Sequence, residues 1–152
     1  MSSRTTIAKL PLTAAIVALF GLADAVYLTV HHYTAEPVPC SLTEGCEQVL
    51  TSPWAEIGGI PLAAFGGIAY FVAFSFALLT AFGDRRMWKL YGAQATLMAC
   101  ISGYLIYVQA ALIGAFCQFC LLSAATSTLL FILFAASLFL KPAVPNTEAD
   151  FS

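Results

Sequence analysis

Charge is what this sequence has least of. Asp, Glu, Lys and Arg together make up 9% of its 152 residues, against 61% that are apolar, and the mean hydropathy is +0.88. So little polar surface cannot coat a soluble globule, which makes lipid the expected solvent. With Lys and Arg numbering six in all, no basic face for a nucleic acid is expected. The period-two alternation of polarity that marks the strands of a membrane β-barrel is missing as well, because the long apolar runs are apolar on every face. What is present instead is length. A bilayer core about 30 Å thick is crossed by roughly 20 apolar helical residues, and residues 7–30, 60–82, 90–116 and 117–140 each meet that requirement. The expected fold is all-α: an integral membrane four-helix bundle forming a single domain over 1–152, with a long outer loop between the first and second helices. Small residues recur every four positions at Gly59, Ala63 and Gly67 and again at Ala95, Ala99 and Gly103. Such stripes let helix backbones approach closely, although glycine and alanine are frequent in membrane helices in any case.

A second absence orients the chain. Between His31 and Gly59 there is no Lys or Arg, while Glu36, Glu44, Glu47 and Glu56 all fall there. The basic residues sit elsewhere: Arg4 and Lys9 before the first span, Arg85, Arg86 and Lys89 between the second and third, and Lys141 after the fourth. The positive-inside rule then makes both termini and the 82–90 turn cytoplasmic. The long loop and the junction of the third and fourth helices face outside. Arg4, Lys9, an apolar stretch and Ala23-Asp24-Ala25 also resemble a cleavable signal peptide. The apolar run continues through Tyr27-Leu28-Thr29-Val30, which suits a retained span better. A carboxylate as deep as Asp24 costs about 2.5–3.5 kcal/mol on insertion scales, so it is expected to face the bundle or the interface. A proton path and a hydrogen-bonded structural role are both open to it. His31 and His32 are expected to be solvated at the outer interface.

Cysteine is scarce too, but its placement is informative. Of the five, Cys40 and Cys46 lie in the outer loop, Cys117 and Cys120 open the fourth helix, and Cys100 lies within the third. Four therefore gather at one membrane face, the one where disulfides persist in bacterial envelopes and in the endoplasmic reticulum. Three residues apart on a helix, Cys117 and Cys120 share a side and come within bonding reach. At a helix N-terminus the free N–H groups and the macrodipole favour the thiolate, the form that attacks a disulfide or a quinone ring. Structural zinc sites use the same spacing. The ring closed by Cys40 and Cys46 is short, so a disulfide there adds little stability. A mobile loop pair could instead meet a soluble redox protein and exchange with the inner pair. A four-sulfur zinc site is the chemical rival, although no small domain here needs a metal to fold, and no metal is expected. Cys100, without a partner in mid-membrane, is expected to serve as a small buried hydrophobe.

Taken with their spacing, several segments resemble the vitamin K epoxide reductase (VKOR) family, specifically its bacterial members. They are the loop pair Cys40 and Cys46, then Ser52 and Trp54, then Gly59-Ile60-Pro61-Leu62 and Phe65-Gly66 entering the second helix, Tyr104-Leu105-Ile106-Tyr107, and Cys117-Gln118-Phe119-Cys120. The bacterial DsbB proteins share four helices and quinone chemistry but carry their C-x-x-C in the first outer loop, whereas here it comes second. The resemblance implies a membrane thiol:quinone oxidoreductase in which Cys40 takes electrons from a partner thiol, Cys46 passes them to Cys117, and Cys120 borders the quinone, either ubiquinone or menaquinone. Ser52, Phe65 and Leu105 are the quinone-site residues it implies, with a helix cap as the alternative for Ser52 and an ordinary core position as the alternative for Phe65 and Leu105.

Two departures bear on the substrate. This chain has Ala124 where animal members carry a tyrosine, and Leu62 where they carry an asparagine. Without those polar contacts a plain quinone is the expected substrate rather than vitamin K epoxide. Some bacterial relatives carry a fused thioredoxin-like domain, whereas this sequence ends about a dozen residues past Leu140. A separate periplasmic oxidoreductase, DsbA-like or thioredoxin-like, is therefore the expected partner. The segment Asn146–Ser152 has no retention signal, which favours a bacterial inner membrane. The alternative in a different class is a non-catalytic membrane scaffold braced by structural disulfides.

Overall fold

The computed structural model describes residues 2–140. Met1 and the tail from Lys141 onward, including Asn146–Ser152, lie outside the described residues. Helix α1 (Ser2–Thr34) is followed by a short α2 (Cys46–Leu50), a two-stranded antiparallel ladder of β1 (Glu56–Ile57) with β2 (Ile60–Pro61), and then α3 (Leu62–Ala81). Helix α4 (Arg85–Tyr107) continues into a π-helical turn, Val108–Ile113, and α5 (Gln118–Phe139) completes the bundle. Four of these helices are long and apolar enough to cross a membrane. Helices suit lipid because they satisfy every backbone N–H and C=O within the segment. Helix α1 packs against α3 and α5, and α4 closes the other side against the same two.

The helix ends differ from those expected, because apolarity marks what lies in lipid while caps decide where a helix stops. Helix α1 runs past 30 to Thr34, and Ala35 ends it in the left-handed region at φ 56°. Residues 60 and 61, expected in the second span, belong to the small ladder, and Pro61 in extended conformation starts α3. The third span begins early, at the Asp84 cap that accepts the Arg86 N–H at 3.0 Å. It also ends early. Instead of running to 116, the chain leaves α4 through the π-turn, whose Gln109 carbonyl accepts the N–H groups of Gly114 and Ala115 at 2.9 and 3.2 Å. Gly114 at φ 70° then breaks the helix, a conformation that costs an L-residue about 1–2 kcal/mol and glycine almost nothing.

Tyr70, Tyr91 and Leu130 fill the core among the alanines 14, 15, 18, 25, 73, 77 and 95. Close approach occurs only partly along the expected stripes. A Cβ added at Gly67 would come into ordinary contact with Ala25 and Leu22, but at Gly59 and Gly103 it would face open space. The tight positions are Gly21, where a methyl would overlap the Tyr70 ring, and Gly92, where it would overlap the Phe134 ring. Lipid tails are as apolar as leucine, so hydrogen bonds between helices add cohesion that burial does not. Tyr91 donates to the Leu130 carbonyl at 2.9 Å, Trp88 Nε1 to Ser137 at 2.8 Å, and Tyr70 to the Ser123 carbonyl at 2.7 Å.

Candidate functional site

The two cysteine pairs meet at one end of the bundle. Cys40 and Cys46 are joined in a disulfide with their Cα atoms 6.2 Å apart, while Cys117 and Cys120 are free thiols. Cys46 and Cys117 are buried in a common cluster with Val49 and Ala115, and Cys40 and Cys120 pack against it. Segments seventy residues apart in the chain thus place all four sulfurs in one cluster. Cys100 is not among them. It lies exposed on the outside of α4 rather than buried as expected.

The loop pair is seated rather than free. Gly45 lies so close to the chain after the π-turn that a Cβ there would meet the Phe116 backbone at 2.9 Å. The Thr43 hydroxyl accepts the Gln118 N–H at 3.1 Å and lies 3.7 Å from the Cys46 sulfur. In return the Gln118 side-chain oxygen accepts the Leu42 N–H at 2.8 Å. Helix α5 has no capping side chain of its own at Cys117, so Thr43 satisfies from another segment one of the N–H groups that a helix N-terminus leaves free. From the opposite side, the buried Gln109 amide oxygen accepts the Cys117 N–H at 2.9 Å. Tyr27 of α1 packs on Phe119 with ring centroids 5.4 Å apart. The parts played by Thr43, Gly45 and Gln109 were not singled out from the sequence. The one available signal was Gln109 itself, since a buried amide in an apolar run is costly unless it is bonded.

The Cys117 thiol is drawn below its ordinary value near 9, to about 7. The largest cause is the Cys120 thiol donating to it, with smaller help from the N–H groups of Cys120 and Phe119 at the start of α5, while burial opposes. This favours the nucleophilic thiolate near neutral pH. The geometry supports thiol–disulfide exchange, in which a thiolate attacks a disulfide sulfur and releases the other as a thiol.

Beside the cluster, between the helices, lies a cavity of about 840 Å³. Of the four cysteines only Cys120 contributes to its wall, and Ser52, Phe65 and Leu105 line it as well. Leu62 and Ala124 are also in the wall. The Ser52 hydroxyl donates to the Val49 carbonyl at 2.7 Å, so it holds the turn that ends α2. His32 and Glu56 pair at 3.8 Å, and both line the cavity. The size falls within the range of about 300–1,000 Å³ typical of small-molecule sites. Most of its wall is apolar.

The Vitamin K epoxide reductase family model matches residues 12–135, which include all four clustered cysteines. The chain belongs to the vitamin K epoxide reductase family. Among its relatives is the thiol-disulfide oxidoreductase LTO1 of Arabidopsis thaliana, 33% identical over 122 residues that cover 72% of this chain and 32% of that protein. The chain therefore spans about a third of the length of this curated relative. Within the VKOR-family bundle described here, two further features belong to the site's immediate surroundings: the Thr43–Gln118 contact and the π-turn that presents Gln109.

Proposed function

We propose that this VKOR-family chain is a membrane thiol:quinone oxidoreductase that drives disulfide formation in a thiol-bearing redox partner. Cys40 exchanges with the dithiol of a DsbA-like or thioredoxin-like oxidoreductase, which leaves as the disulfide. The reduced outer pair then attacks the inner pair through Cys46 and Cys117. The Cys117–Cys120 dithiol finally gives up two electrons and two protons, returns to the disulfide, and reduces quinone to quinol. What supports this reading most is the gathering of four cysteines in one cluster, with Cys120 alone opening onto an apolar cavity.

Phe65 and Leu105 would flank the ring, and Ser52 would hold the outer wall through its bond to Val49. With Leu62 and Ala124 adding no polar group to the wall, a plain quinone, ubiquinone or menaquinone, suits the cavity better than vitamin K epoxide. The distribution of Lys and Arg supports cytoplasmic termini and an outward-facing cysteine cluster, and a bacterial inner membrane is the proposed location.

The test is direct. Purified protein, a short-tailed ubiquinone and a reduced DsbA-like protein should yield quinol. Both Cys117→Ala and Cys120→Ala should abolish that yield. Normal turnover by both variants would leave only a scaffold held by disulfides.

A further inference from the structure

Asp24 lies ten residues before the end of α1 at Thr34, about 15 Å along the axis at ~1.5 Å per residue. Among the described residues, one of its carboxyl oxygens, Oδ2, is buried without a hydrogen-bond partner. Buried carboxyl groups are ordinarily bonded or paired, and those within a membrane span ordinarily serve a function. Its neighbours do not supply the missing bond. The Tyr70 hydroxyl donates to the Ser123 carbonyl at 2.7 Å, and Ser127 donates to the same carbonyl at 3.0 Å, so these hydroxyl protons are committed to α5. Asp24 and Cys120 line the same cavity. The other titratable side chains of that wall from α1 and the outer loop, His31, His32, Glu36, Glu47 and Glu56, belong to segments at its outer end. Among the described residues no Lys or Arg lines it.

We propose that Asp24 is the proton carrier of this cavity, an inference that rests on the quinone reading above. Closing the Cys117–Cys120 disulfide releases two electrons and two protons, and reducing a quinone to a quinol consumes the same number of each. No outside reductant is required. The Cys120 proton passes through Asp24, and where Cys117 starts as the thiolate the second proton of the quinol is drawn from water at the outer end of the cavity. In a cavity walled mostly by apolar side chains, a proton leaving the Cys120 thiol needs a base nearby to receive it and pass it on. The Asp24 carboxylate accepts that proton as the sulfur–sulfur bond forms, then delivers it to a quinone oxygen and returns to its starting charge. Among the described residues no donor claims that oxygen. A carboxylate held by two donors would be a poor carrier.

The experiment uses the full chain in lipid nanodiscs, a short-tailed ubiquinone and a reduced DsbA-like protein, with Asp24→Asn and Asp24→Glu as variants. Asn keeps the shape and removes the exchangeable acid, and is expected to slow single-turnover quinol formation about a hundredfold, in the range of general acid–base effects. Exchange of the Cys40–Cys46 disulfide with the partner should keep its wild-type rate. Asp24→Glu should recover at least a tenth of quinol formation. In quinone-free reduced protein, Asp24→Asn should also lower the pH midpoint of the Cys117 thiolate, because the charge of Asp24 opposes that of Cys117.

Wild-type quinol formation by Asp24→Asn overturns the proposal, as does an unmoved Cys117 midpoint. Equal slowing of both steps marks a structural role and also overturns it. If the unaltered chain forms no quinol, the quinone reading itself fails, an outcome the partner-exchange measurement separates from failure at Asp24 alone.

Discussion

Cys117 shows how much a single thiol takes from its surroundings. Burial raises the cost of its thiolate, but a donated hydrogen bond from Cys120 and the N–H groups at the start of α5 outweigh that cost and bring the group to about 7. Below that pH the protonated thiol dominates, and above it the thiolate, so at neutral pH roughly half of the protein carries the nucleophile where an ordinary cysteine would carry a few per cent. Removing the main contributor should reverse this. In a Cys100→Ser background with the outer disulfide intact, thiolate absorbance should rise with a midpoint near 7, and Cys120→Ala should move the midpoint upward toward 9. An unchanged midpoint in that variant would assign the effect to the helix terminus instead. The position of Cys117 at a helix start was legible from the C-x-x-C and the apolar run after it. Its hydrogen-bond partners Gln109 and, through Gln118, Thr43 were not, because they come from other segments of the chain.

At the scale of elements, the junction between the outer loop and α5 is the feature that brings the pairs together. Thr43 caps a helix whose own N-terminal residue supplies no cap, and Gln118 holds the loop from the other side. Thr43→Val keeps the volume and deletes the acceptor. Losing such a cap costs about 1 kcal/mol, and a contact that seats a loop should lose roughly fivefold or more in population for that loss. Hydrogen exchange should therefore become faster at the amides of Leu42 and Gln118 in Thr43→Val, while the amides of α3 remain protected as before. Equal protection in both proteins would mean that Gly45 and the Phe116 backbone seat the loop alone. The sequence suggested a mobile loop because its composition is turn-prone, and composition says nothing about a surface 70 residues away that receives it. The early end of the third helix is of the same kind. Residues 108–113 are as apolar as the helix before them, and it is the Gln109 carbonyl and left-handed Gly114 that turn the chain away.

For the whole molecule, four apolar helices form a closed ring of neighbours, and the cluster of cysteines lies at the end from which the 31–59 connection and the start of α5 emerge. The basic residues Arg85, Arg86 and Lys89 start α4 at the opposite end. That separation makes topology measurable. In a cysteine-free background, Glu44→Cys should react with a membrane-impermeant maleimide added to intact cells stripped of their outer envelope. Asp84→Cys should react only after the membrane is opened. Labelling in the reverse order would put the pairs on the cytoplasmic face, where disulfides are kept reduced, and would remove the basis for the proposed reaction. The packing of the ring depends on close contacts at Gly21 and Gly92. These lie outside the small-residue stripes visible in the sequence.

Unaided, the sequence determined that the chain crosses a membrane four times with two cysteine pairs at one end, because apolar length, charge placement and cysteine order are all properties of a line. Which sulfur borders the cavity, which glycines let helices touch, which residue caps α5 and where Asp24 points were decided only in the tertiary structure. The physical reason is that a helix apolar on every face carries no signal of its rotation. Lipid accepts any of its sides, and only side-chain packing and the few interhelical hydrogen bonds choose among them.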